Sequence, residues 1–186
     1  REAQVSIGGS DYIDPFAPPL AASHEDNRVQ MIVPRQELGG GAPGYPPVTA
    51  LSLDVAELPD KALSRLMVNN FTIRMKHTLL SQYTTPSWET DGWTTVYRSD
   101  ETITTTGWVT FEFSRLFEYN WVDNLMVDVS FHGSESTRNG ECYWDTGYEE
   151  PRAIYALADG EYGDPLGWSG TASPTPQMIE GLPMMR

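Results

Sequence analysis

From Gly107 to Phe131 hydrophobic and polar positions alternate with a period of two. Val109, Phe111 and Phe113 fall on one side of the chain and Trp108, Thr110 and Glu112 on the other. Beyond a short connection, Leu125, Val127, Val129 and Phe131 alternate with Met126, Asp128 and Ser130. A two-residue repeat is the signature of a strand with one buried and one wet face. The segment therefore reads as a hairpin of an antiparallel sheet.

The same pattern recurs in shorter runs. Residues 28–33 (RVQMIV), 48–55 (VTALSLDV), 70–76 (NFTIRMK) and 93–98 (WTTVYR) each read as a strand, as do 141–144 and 152–158. Residues 4–9 (QVSIGG) are a candidate short strand. The following DPFAPPLAA is interrupted by prolines and cannot be a central strand. The segment 34–47 is punctuated by Gly and Pro and reads as a loop, and 57–67 as a helical turn or an extended loop. About eight short strands separated by Gly, Pro, Asn and Asp, with no long amphipathic helix, predict an all-β protein: an antiparallel β-sandwich of jelly-roll type with long irregular loops and extended termini. The expected organisation is an extended N-terminal segment (1–24), a sandwich (25–172) and an extended C-terminal tail (173–186).

Composition narrows the functional classes. A chain of 186 residues is long enough for one domain with its own core. The 26 acidic against 12 basic residues give a net charge of −14, which repels phosphate backbones and anionic lipid, so neither nucleic acid nor a membrane is an expected partner. Cationic partners and divalent ions suit that field better. The single cysteine, Cys142, forms no internal disulfide and reads as a small buried hydrophobe. The chain starts at Arg1 rather than Met, which reads as a removed leader or as part of something longer.

Several runs, taken in order, carry a family resemblance: NFTIRMKHT, GWVTFEF, FEYN, DNLMVDV and RAIYAL. The chain resembles, over about residues 25–160, the β-sandwich modules of large secreted and cell-surface proteins of Gram-negative bacteria, of the Bacteroidetes adhesin type. Phe117, Tyr119, Asn120, Asn124, Leu125, Val127 and Val129 fall on that pattern. The resemblance implies a non-catalytic module, extracellular or at the cell surface, with an adhesive, scaffolding or glycan-associated role. The chain departs from the pattern at Trp121, where the family has Gly after Tyr-Asn. A turn that needs φ > 0 would strain a tryptophan, so a different turn type is expected there.

Residues that could carry chemistry are scattered. His24, His77 and His132 lie in different segments without metal-ligand spacing, and no nucleophile elbow or Cys–His pair is present, so no catalytic residue is assigned. The glycine-rich 39–44 is followed by prolines rather than a helix and is no phosphate cradle. Asn70-Phe71-Thr72 matches a glycosylation sequon within a strand and is read as chance. Calcium is the more plausible ion, with Asp159, Glu161 and Asp164 in ADGEYGDP the best candidates, ahead of Glu89, Asp91 and Asp123. Trp88, Trp93, Trp144 and Trp168 lie in or beside loops, where their rings are candidates for stacking on sugars. The expected partner is a protein or polysaccharide surface. A second reading makes the partner identical subunits of a filament or layer, joined by terminal-strand exchange.

Overall fold

The alternation predicted from the sequence is realised as two facing antiparallel sheets not closed into a barrel, an antiparallel β-sandwich. The structure, a computed structural model, describes residues 4–9, 12–39, 45–59 and 65–186. The strands are β1 (Ile13–Phe16), β2 (Asp26–Val33), β3 (Val48–Glu57), β4 (Leu66–Thr78), β5 (Thr94–Ile103), β6 (Gly107–Phe117), β7 (Asn124–His132), β8 (Glu141–Asp145), β9 (Ala153–Ala158), β10 (Gln177–Ile179) and β11 (Leu182–Pro183). One sheet runs β1-β8-β3-β6, with β11 also on β8, and the other runs β10-β9-β2-β7-β4-β5. The glycine-rich run falls almost wholly outside the described residues, as does much of the segment read as a helical turn or loop.

The Gly107–Phe131 segment is not a hairpin. β6 pairs with β3 in one sheet, whereas β7 pairs with β2 and β4 in the other. Alternation fixes which face of a strand is buried, but two strands facing each other across a core show the same period as two strands side by side. The inward rings meet between the sheets: Phe111 of β6 lies 4.8 Å from Phe71 of β4. The main core gathers Val29, Met31 and Val33 of β2, Ile73 and Met75 of β4, and Val127 and Val129 of β7, all at most 1% exposed.

β10 joins the other sheet, while β1 and the last residues from β11 onward belong to the β1–β8 sheet. β1 is its edge strand, which is where its Pro15 is tolerated. After β11 the chain continues between β8 and β3: Met184 N donates to Tyr143 O (2.8 Å), while Ser52 and Arg186 exchange backbone bonds of 2.8 and 3.1 Å. Ile7 pairs with Met185, completing that seam.

The second sheet is covered on its outer face as well, so every residue of β2 is buried. The loops between β4 and β5 and between β9 and β10 lie over it. They bring Tyr83, Trp88 and Trp168 onto Ile32, Met126, Ile154 and Ala156 as a second apolar cluster. Beneath these loops Asp128 is fully buried between Arg28 Nε at 2.8 Å and Arg74 Nη2 at 3.1 Å. Arg28 also donates to the carbonyls of Pro165 (2.9 Å) and Trp168 (2.8 Å), and Trp88 covers the guanidinium at 4.6 Å. Burial pushes the Arg28 pKa down and Asp128 pulls it back.

On β5, burial and a hydrogen bond to Glu101 push the Tyr97 hydroxyl up to about 12 from 10. Burial also raises Tyr83, Tyr119, Tyr148 and Tyr155. Above pH 10 the unfolded chain loses phenolic protons that the folded chain retains, so stability present below pH 10 is lost as the pH rises through about 12. The urea midpoint is expected to fall across that window, less steeply in Tyr97→Phe; a flat midpoint would contradict the assignment.

Candidate functional site

The six-residue connection from β6 to β7 is held by Tyr119 and Asn120 within it and by His77 and Asn124 beside it. Asn120 Oδ1 accepts the backbone N–H groups of Val122 (2.9 Å) and Asp123 (3.1 Å), an Asx-type turn, while its Nδ2 donates to Asp123 Oδ2 at 2.7 Å. Tyr119 is buried and donates its hydroxyl to the Asp123 carbonyl. His77 of β4 stacks on Tyr119 at 5.7 Å and packs on Phe117 at 5.1 Å, and its Nε2 accepts the Asn120 N–H at 3.0 Å. Asn124 ties in two further segments, accepting from Arg35 N and donating to Leu80 O, each at 2.9 Å.

Trp121 keeps the backbone conformation that a glycine would supply. Its φ is 58°, so the expectation of a turn without positive φ at this position fails: the tryptophan itself occupies the left-handed region. Such a conformation costs a bulky residue on the order of 1–3 kcal/mol. It is held by aromatic packing, 4.9 Å to Tyr119 and 5.3 Å to Tyr45, and by Arg35 Nε, which donates to the Trp121 carbonyl at 2.6 Å. The indole Nε1 is buried and has no hydrogen-bond partner among the described residues.

Around this turn the end of the sandwich exposes several apolar side chains among polar ones such as Glu118 and Asn120. Leu79 is 88% and Val122 62% exposed, joined by the exposed side chains of Leu80, Leu116 and Tyr45. Large contiguous exposed apolar patches are uncommon on monomeric proteins, which makes this end the candidate contact surface. Beside it, the short 3-10 turn Arg35–Leu38 carries Arg35 to Trp121 and Glu37 to a neighbouring shallow depression open to solvent. Asp145, 5% exposed, lines that depression and accepts N–H bonds from Gly9 (3.0 Å) and Gly147 (2.9 Å). Glu37 accepts from the Tyr148 hydroxyl at 2.7 Å, and burial raises the pKa of that phenol, keeping it a donor. Gly8 allows the close approach: at φ +82° an added Cβ would lie 3.2 Å from Asp145 Cβ.

The tryptophans proposed to stack on sugars lie elsewhere and are packed in protein. Trp144 is fully buried, its Nε1 donating to Pro18 O at 2.8 Å. Trp88 and Trp168 are 3% and 2% exposed in the second cluster, 5.7 Å apart. Trp93 is half-buried, with Arg74 and Lys76 over its ring at 5.0 and 5.1 Å and its Nε1 bonded to Glu89 O. Of these four, Trp93 alone is not fully buried.

The proposed calcium ligands do not converge. Asp159 accepts from Glu25 N at 3.3 Å and lies 3.2 Å from His24 Nδ1. Asp164 caps the 3-10 turn Pro165–Gly167 through Leu166 N at 2.9 Å, and Glu161 is exposed. Of the others, Glu89 pairs with Lys76 at 2.8 Å, and Asp123 is engaged by Asn120. Among the described residues no group of three or more His, Cys, Asp or Glu side chains is placed to hold a metal. His132 pairs through Nδ1 with buried Asp26 at 2.5 Å. Asn70 sits in a bulge of β4 at φ 51°, its amide nitrogen bonded to His132 O. Cys142 is buried, which pushes its thiol pKa far up and leaves no thiolate nucleophile.

Sequence reasoning placed the pattern break at Trp121 but missed the exposed leucines at 79 and 80, and it missed the pairing of Glu37 with Asp145 in one depression. The two adjacent leucines ahead of a polar run were the available signal; the depression had none, because its residues come from three distant segments. Comparison with protein-family models, with curated proteins and with solved structures finds no match to this chain.

Proposed function

We propose that the chain is a non-catalytic structural or adhesive module, extracellular or at the cell surface, that works by binding another surface through the end of the sandwich around Trp121. The observation that carries this reading is the exposed apolar cluster assembled around a strained, aromatic-clamped turn. Strain retained where glycine would relieve it points to a role for the side chain that bears it. The packing of Trp88, Trp144 and Trp168 into protein favours a protein surface over a glycan as the partner.

The alternative is a subunit that polymerises by exchanging a terminal strand. Its support is that residues 13–16 and 182–186 are strand partners of β8 and β3, the kind of element an exchange would swap. What favours the first reading is that both segments are already seated in their own chain.

The test uses a Leu79→Ser/Val122→Ser variant beside the native chain on immobilised extracellular proteins, polysaccharides and the chain itself. Both sites are exposed, so the melting temperature should stay within about 2 °C. Binding to a protein surface is expected to fall at least tenfold in the variant. Equal binding by the two chains, or none by the native one, would sink the reading, and binding confined to the chain itself would favour strand exchange.

A further inference from the structure

His77 is bonded differently from the other two histidines of the chain. His24 and His132 each turn Nδ1 to a carboxylate, Asp159 at 3.2 Å and Asp26 at 2.5 Å, and a proton on the ring strengthens such a pair. His77 turns Nε2 to a backbone N–H, that of Asn120, at 3.0 Å. A backbone amide nitrogen only donates, so Nε2 carries the lone pair and the ring is neutral, with its hydrogen on Nδ1. A solvent proton bound at Nε2 would set one N–H against another and break this bond. The charged groups around the ring are engaged elsewhere. In the connection, Asp123 is bonded to Asn120, and Glu118 is exposed. From the 3-10 turn, Arg35 reaches the Trp121 carbonyl. Burial raises the Tyr119 phenol on which His77 stacks, and Arg35 and Asp123 act on it with opposite signs. On β4 Lys76 pairs with Glu89, β7 sets the uncharged Leu125 opposite His77, and β6 offers Phe117, with Arg115 exposed before it. Among the described residues no carboxylate pairs with His77 to favour a charged ring.

We propose that His77 gates the contact surface by protonation: the neutral ring holds Trp121 and Val122 in place, and acid releases them. The proposal rests on the contact-surface reading above and adds its regulation. Asn120 links the ring to the surface. His77 fixes its N–H, and its Oδ1 in turn accepts the N–H groups of Val122 and Asp123. Beside it Trp121 is kept at φ 58°, a conformation that a bulky residue leaves once its surroundings stop enforcing it. The connection therefore has a second state to fall into when the His77 anchor is lost, with Trp121 relaxed to negative φ. Val122, 62% exposed and next in the chain, moves with it. Imidazoles change charge between about pH 5 and 8, so the native surface belongs to the upper part of that interval and is lost towards the lower. Acid acts in the opposite sense on His24 and His132, whose carboxylate partners hold a charged ring more tightly.

The test is read by nitrogen NMR on the full chain as the pH is lowered from about 8 to about 5.5, the span in which imidazoles titrate. At the start the His77 ring should carry its hydrogen on Nδ1 and show a scalar coupling across the bond from Asn120 N–H to Nε2. Acid should abolish that coupling and shift Val122, Asp123 and the Trp121 indole in step with the His77 ring, while the amides of β2 hold their positions. Binding to the immobilised proteins used above should fall about fivefold or more over the same span, and less than about twofold in His77→Gln, whose amide is neutral throughout. A His77 ring with its hydrogen on Nε2 at the start, or a Trp121–Asp123 segment that does not follow the ring, overturns the gate. So do equal pH profiles of binding in the native chain and His77→Gln. If the native chain binds no immobilised protein, the resonances alone decide for or against the gate. If the turn follows His77 while Leu79→Ser/Val122→Ser keeps full binding, the gate on the turn stands and the contact-surface reading falls alone.

Discussion

Asp128→Ala is expected to lower the stability of the fold by about 3–5 kcal/mol, a fall in melting temperature on the order of 10 °C for a chain of this length. Asp128 is fully buried between two arginines, and removing it leaves both guanidiniums beneath the loops without their counter-charge. Losing one partner of a buried pair costs more than the pair contributes, because the charge left behind has no water to turn to. The damage should reach beyond the strands. Arg28 also holds the carbonyls of Pro165 and Trp168, so the loop between β9 and β10 should exchange its amide hydrogens faster in the variant. A variant with unchanged urea midpoint and unchanged loop protection would show that the cluster is not what closes this face.

Trp144→Ala should cost about as much, roughly 3–5 kcal/mol, and for a different reason. The ring is fully buried where β1, β8 and β11 meet; it packs edge-on against Phe16 at 5.5 Å and its Nε1 satisfies the Pro18 carbonyl. Truncation leaves a large cavity and an orphaned acceptor. Trp144→Phe should lose less, since it keeps most of the apolar volume and forfeits only the hydrogen bond and part of the ring. Denaturant titration checks both. A ring serving a ligand instead would give the opposite outcome: lost binding at unchanged stability.

How far the sequence could be read follows from these two residues. Alternation on β7 located the inward face of Leu125, Val127, Val129 and Phe131 correctly because that pattern is local. It could not say that β6 and β7 cross between sheets, since pairing partners are set by long-range packing. It also misled at Asp128, which the pattern sets on the polar face of β7 and which is fully buried. Polar residues at every second position look like a wet face, but here two loops cover it and the polar groups bond one another. The signal was in those loops: Trp88, Trp93 and Trp168 are apolar rings that need burial, and a second core is the simpler destination for them than a sugar. At the turn, Phe117, Tyr119, Asn120 and Asn124 stood out in the sequence; Tyr119 packs on Trp121, Asn120 closes the turn, and Phe117 and Asn124 tie it to His77, Arg35 and Leu80. The depression lined by Glu37 and Asp145 was illegible because it joins residues more than a hundred positions apart.

The central claim is that the contact surface is the apolar end around Trp121 and not the tryptophan-bearing loops. Hydroxyl-radical footprinting of the native chain, read residue by residue by mass spectrometry, tests it most directly. Rapid labelling of Leu79, Leu80, Val122 and Tyr45 with protection of Trp88, Trp144 and Trp168 is the expected result. Labelled tryptophans and a protected Leu79–Val122 end would contradict it.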